Sequence, residues 1–169
     1  MPIDRYLPDR PFPPYAFLPG RDPHPTRHPE GHSYSADGEE PAEYMVPSAW
    51  RENDEYLYGV DLYNHGYLWE AHEAWESIWH PSKHDAEQAD FLQGLIQCAA
   101  ASLKIPMDQP RGLEKLSTVG TQRLERVAQS AGDLYMGVEI SPFIAAFRAF
   151  ASSNPTSIDA RPVIVLTFD

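Results

Sequence analysis

The sequence predicts an all-α fold: about five helices joined as antiparallel hairpins, preceded by an extended proline-rich arm and followed by a short extended segment. Three observations predict it. Between residues 48 and 152, apolar residues recur at helical spacing, and capping and breaking residues punctuate the pattern. Residues 1–47 hold eleven of the seventeen prolines, which remove backbone donors and forbid regular helix or central strand. The ending RPVIVLTFD reads as extended chain. A length of 169 residues suits one domain with a substantial core. The expected divisions are therefore an arm at 1–47, a helical domain at 48–152 and an extended segment at 153–169.

The arm carries more aromatic surface than a solvated tail does, in Tyr6, Phe12, Tyr15, Phe17, Tyr34 and Tyr44. The part around PFPPYAFLPG is therefore expected to lie against the helices, with residues 35–43 (SADGEEPAE) its most mobile piece. Within PHPTRHPEGH, His24, His28 and His32 fall at intervals of four, but Pro25 and Pro29 make a helix there unsuitable. Two readings stay open for these histidines: surface-loop groups bonded to backbone or water, or a metal or anion site completed by the helical body.

The first helix is expected from Ala49, capped by Ser48, to about His65. Trp50, Leu57, Val60, Leu62 and Tyr63 supply its apolar positions, and Glu52, Asp54 and Glu55 sit near the positive end of its dipole. Gly66 then turns the chain back. The second helix, residues 67–80 (YLWEAHEAWESIWH), holds three tryptophans, three glutamates and two histidines and ends before Pro81. Advancing 100° per residue from His72 at zero places Leu68, Trp75 and Trp79 at about −40°, −60° and −20°, and Glu76 and Trp69 at about +40° and +60°. His72 is thereby expected to point with the tryptophans into the core, and Glu70 to face water.

Asp85 with Gln88 three residues on forms a capping-box pattern for a third helix to about Lys104, whose apolar face includes Phe91, Leu92, Leu95, Ile96, Ala99 and Leu103. Gln93 and Gln97 stand one turn apart at its edge beside Gly94. A fourth helix runs from about Pro110 to just before Gly132. Ser141 and Pro142 are expected to cap and open a fifth, with Phe143, Ile144, Phe147 and Phe150 as its core stripe. A lone extended C-terminal segment cannot satisfy its own hydrogen bonds, so it must pair with the arm, lie along the body or add to a partner.

The blocks GVDLYNHGYLWEAHEAWESIW and FLQGLIQCAAASLK resemble a bacterial and archaeal family of small all-helical proteins, domain-of-unknown-function family 309. Its mark is a glycine-aromatic turn, an EAHE-x-x-E-x-x-W-like helix and a helix opening F-x-Q-G-L-I-Q. Gly66, Glu70, Ala71, His72, Glu73, Trp79, Phe91, Gln93, Gly94, Leu95, Ile96 and Gln97 match it. One departure is that the acidic residue usual before the final tryptophan is Glu76, with Trp75 just ahead of it. PPYAFLPG and PHPTRHPEGHS look like an N-terminal extension found in part of the family. The resemblance spans roughly residues 10–130 and implies an all-α bundle with a shared polar cluster, without an accepted activity.

Charge and motifs narrow the function classes. A net charge of −12 with scattered Lys and Arg argues against binding a phosphate backbone. The single cysteine, Cys98, lies in an apolar run and reads as a small core residue. No apolar run approaches membrane-spanning length and the N-terminus lacks a secretory signal's apolar region, so a cytoplasmic location is expected. The third helix offers glutamines where a di-iron bundle needs carboxylates, and HEAWE departs from HExxH by a glutamate in the second histidine's place.

The candidate chemistry is thus a His/Glu/Gln cluster between the second and third helices. His72 and Glu73 are the candidate acid and base. Trp69, Glu76, Gln93 and Gln97 are candidate ligand-binding residues, and His72 with Glu76 is the candidate pair for a single divalent metal. A core hydrogen-bonding role for His72 with Glu76, Gln93 or Gln97 is the structural counterpart. The expected function is a ligand- or protein-binding module, its partner an unspecified protein, a small molecule or a second copy. The alternative is a metal-dependent or acid/base enzyme acting on a small molecule at His72, Glu73 and Glu76.

Overall fold

The computed structural model describes residues 2–35 and 40–168. Five α-helices follow one another: α1 (Asp54–Asn64), α2 (Leu68–Trp79), α3 (Ala86–Leu103), α4 (Pro110–Ala131) and α5 (Ile140–Ser152). Each packs on the next, most extensively α3 on α4. There a Cβ on Gly94 would lie 2.7 Å from the Leu124 side chain and 3.1 Å from the Gly120 carbonyl, so both glycines permit the close approach. The expected helical bundle is the observed one, with two differences at helix starts and one small sheet.

Residues 47–52 form a 3-10 turn in place of the expected first turns of a helix from Ala49. Ser48 caps nothing. Asn53 takes an extended conformation and its side chain accepts from the Tyr56 amide at 3.2 Å, so the helix starts at Asp54. The other difference is an early start: α5 begins at Ile140, so Ser141 lies inside it, and its backbone N–H and hydroxyl both donate to Asp133. Asp85 does cap α3 through the Gln88 amide at 3.2 Å, but the Gln88 side chain donates to the Met45 carbonyl on the arm at 2.9 Å. Only half of the capping box is therefore made.

Between α4 and α5 the chain forms a hairpin of β1 (Leu134–Tyr135) and β2 (Val138–Glu139), in register Leu134↔Glu139 and Tyr135↔Val138. Its two turn residues, Met136 and Gly137, both have positive φ, 45° and 80°, as a tight turn matched to strand twist requires. The Trp50 ring occupies the space of a Gly137 Cβ, at 2.7 Å.

The arm and the C-terminal segment are tied down by buried polar groups of α1. Asp61, 1% exposed, accepts from the Tyr6 and Leu7 amides at 2.8 and 2.9 Å. Tyr58 donates to Pro11, Phe12 stacks on Tyr67 with centroids 4.8 Å apart, and Phe17 is buried, so the PFPPYAFLPG part lies on the helices as expected. Residues 36–39, within the stretch expected to be most mobile, lie outside the described residues. The C-terminal segment lies along the body. Asn64 bonds both the N–H and the carbonyl of Ile164 at 2.8 Å, and the Leu166 amide donates to the Tyr6 hydroxyl. Arg161 inserts between Tyr63 O and Asn64 O, at 2.7 and 2.9 Å, placing a cation on carbonyls at the negative end of α1.

Cys98 is 1% exposed on α3, and burial pushes its thiol pKa well up. A thiol-specific colorimetric reagent at neutral pH is therefore expected to leave native protein unmodified and to label one thiol per chain in denaturant. Native labelling at the denatured rate would contradict the buried position.

Candidate functional site

The core face of α2 is set by Leu68, Ala71, Trp75 and Ile78, all buried. Trp75 is sealed, 0% exposed, and its indole N–H donates to the Tyr56 carbonyl at 3.3 Å. It fits because Gly59 of α1 has no side chain: a Cβ there would stand 2.2 Å from the indole nitrogen. On the helical wheel these four residues centre at about −80°, not at the mean of the three tryptophans. That difference moves His72 from the expected core position to the edge of the open face.

His72, Glu73 and Glu76 come together there. His72 Nε2 lies 3.0 Å from Glu76 Oε2 and Nδ1 lies 3.4 Å from Glu73 Oε1, with side-chain exposures of 29%, 44% and 36% for the three. One ring nitrogen faces each carboxylate, so a neutral imidazole can donate to one of them and an imidazolium to both. Glu76 also reaches His80, 3.5 Å away on the next turn. Taking one nitrogen or oxygen from each of His72, Glu73 and Glu76, the donors lie within 4.8 Å of one another, the one such metal-competent grouping among the described residues. Aromatic rings border the patch: Trp69, 6.4 Å from the His72 ring, and Trp79, which carries Lys83 above it at 4.6 Å.

The glutamines stand apart from this patch. The Gln97 Cβ would be 3.0 Å from a Cβ on Gly120, so its side chain leaves α3 toward α4, and its carbonyl oxygen is buried with no hydrogen-bond partner. Among the described residues neither Gln93 nor Gln97 hydrogen-bonds to His72. The polar triad belongs to α2 alone.

Glu70, expected to face water, is 5% exposed. The arm covers it: Oε2 accepts from His32 Nε2 at 2.8 Å and from the Phe17 amide at 3.1 Å. The His32 side chain is 2% exposed, with Ser33 on its other nitrogen at 2.7 Å and Tyr15 beside its ring. His32 follows neither of the two readings for the arm histidines: it is a buried partner of the Glu70 carboxylate. His24 packs edge-on against Phe17 and Trp69, and its Nδ1 accepts from the Thr26 and Arg27 amides. Desolvation, and then the Arg27 charge, hold its pKa below the ordinary value. His28 is exposed, and its ring accepts from the Glu30 amide at 3.1 Å. The His32–Glu70 pair was hidden in the sequence because it joins groups 38 positions apart, yet an acidic residue beside the core stripe and an aromatic-rich arm were both visible.

A surface groove of about 730 Å³ is lined by the α3–α4 connection, α4, α5 and the chain after it, and includes no residue of α2. His72 and Glu73 therefore stand on a helix face, not in that groove. Fold and site together define a small helical bundle that displays a His–Glu–Glu triad on the outer face of its second helix. Residues 56–116, from α1 into α4, match the model of the family described as a domain of unknown function (DUF309), the family that the motifs of this stretch resemble. The arm, α5 and the C-terminal segment lie outside that match. No curated protein and no solved structure matches the chain. No helix among the described residues is long and apolar enough to cross a membrane.

Proposed function

We propose that the domain is a ligand-binding module whose recognition surface is the open face of α2, and that the ligand held by His72, Glu73 and Glu76 is a divalent transition-metal ion. The observation that carries this reading is the accessible cluster of three donors within 4.8 Å, beside the sealed core face of the same helix. The 3.0 Å between His72 Nε2 and Glu76 Oε2 suits two ligands about 2.0–2.2 Å from one ion, which would take the place of the shared proton. Imidazole with carboxylate is a donor set that zinc and its neighbours accept. Three ligands from a single helix leave coordination positions open toward solvent, where a partner's donor group could complete the shell. Acid/base catalysis by His72 and Glu73 has less support, because the groove of about 730 Å³ among the described residues has no residue of α2 in its lining.

Isothermal titration of tag-free protein with zinc tests the reading. The expected result is one ion per chain, with the heat lost in His72→Ala and weakened at least about tenfold, ~1.4 kcal/mol, in Glu76→Gln. Because His72 is half-exposed, His72→Ala is expected to unfold within about 1 kcal/mol of the parent. Unchanged zinc binding in a folded His72→Ala protein would overturn the assignment.

A further inference from the structure

The groove between the α3–α4 connection and α5 holds a larger share of cations than the chain as a whole. Acidic residues outnumber basic ones 25 to 13 overall, yet the groove is lined by three cations, Lys104, Arg111 and Arg148, against two carboxylates, Asp108 and Glu114. Neither Lys104 nor Arg111 has a carboxylate partner among the described residues. Two of the cations are held in place. The Lys104 stem lies across α4 at Gly112, where a Cβ would stand 3.0 Å from Cδ, and its ammonium donates to Gln109 at 3.1 Å. Arg148 donates from Nε to the hydroxyl of fully buried Thr121 at 3.2 Å and reaches Glu125 with one terminal nitrogen at 3.3 Å. Its other terminal nitrogen has no hydrogen-bond partner among the described residues.

Between these cations Leu113, Ile105, Ala151 and Pro155 give the groove an apolar strip, bordered by the polar side chains of Ser117, Thr118 and Asn154. Its volume falls within the range of small-molecule sites, about 300–1,000 Å³. Cations exceed carboxylates by one within the lining, and two of them, Lys104 and Arg111, carry no ion pair among the described residues, which beside an apolar strip suits a ligand with one negative charge and a hydrocarbon body. A polyanion would meet Asp108 and Glu114, and a cation would meet the arginines. We infer that this groove binds a small amphipathic monoanion, its carboxylate or comparable group bonded by Arg148 and Lys104 and its apolar part laid on Leu113 and Ile105. This second site is independent of the α2 face.

The test is a titration of the full ¹⁵N-labelled chain with sodium octanoate, sodium pyrophosphate and octylamine hydrochloride, read by amide chemical shifts. Octanoate is expected to saturate shifts at residues 104–118 and 148–155, with binding weakened about tenfold or more (~1.4 kcal/mol) in Lys104→Gln/Arg148→Gln and unchanged in His72→Ala. Arg111→Gln gives a second, independent variant, in which weaker octanoate binding is expected too. Absence of saturable octanoate shifts in the groove would overturn the inference. So would octylamine binding as tightly as octanoate, pyrophosphate binding more tightly, or unchanged affinity in both charge variants.

Discussion

Glu70→Ala is expected to destabilise the protein by about 3–5 kcal/mol, the cost of breaking a buried pair by removing one member. The carboxylate is 4% exposed and its partner His32 2% exposed, so solvent cannot replace what is lost. The same oxygens accept from the Phe17 amide, a contact that holds the arm backbone directly. Removing them leaves His32 without its carboxylate and the Phe17 N–H without an acceptor, both under cover of the arm. The 17–32 stretch should then loosen before the helices melt. Glu70→Gln keeps an acceptor in place and should cost roughly 1–2 kcal/mol. Urea unfolding measures the loss, and limited proteolysis between residues 18 and 31 reports the arm. Equal stability of Glu70→Ala and the parent protein would mean that Glu70 does not anchor the arm.

Gly59→Ala should be as damaging for a different reason. The added methyl would stand 2.2 Å from the Trp75 indole nitrogen and 2.5 Å from its neighbouring ring carbon, both in a side chain with no exposed surface. Trp75 cannot move outward, because it fills the interior between α1 and α2 and donates to the Tyr56 carbonyl. Alanine's better helix propensity offers about 1 kcal/mol in return, less than overpacking of about 3 kcal/mol or more at such a contact. The expected net loss is thus at least ~2 kcal/mol, with a shift in Trp75 fluorescence. A melting temperature at or above the parent's would show that the interface has room that the geometry denies.

Much of this fold was legible because local signals agreed with the final packing. Asp85 and Gln88, Pro110 and Gly132 mark helix ends in the sequence and mark them in the structure. The misplacements have physical causes. Asn53 outcompetes Ser48 because its side chain satisfies the Tyr56 amide, and nothing in the apolar period distinguishes the two starts. The hairpin at Met136–Gly137 lacks the Asn-Gly or Asp-Gly signal of such turns and is held by Trp50 from far away in sequence. On α2, weighting the tryptophans as core residues rotated the helix; Trp69 and Trp79 are only partly buried, while small Ala71 and Ala74 are the buried ones. That rotation exchanged the fates of two polar residues: His72 emerged toward solvent and Glu70 went under the arm. Charge chemistry at positions 72, 73 and 76 was visible in the motif, but whether it faced core or water depended on the partners of its neighbours.

The most direct measurement is anomalous scattering at the zinc edge from crystals of tag-free protein soaked in zinc chloride. The result expected is one strong peak per chain on the outer face of α2, about 2.0–2.2 Å from His72 Nε2 and from Glu76, with Glu73 turned toward it. A map without a peak there, or with zinc only on exposed His28, would contradict the claim that the open face of α2 is a metal-binding surface.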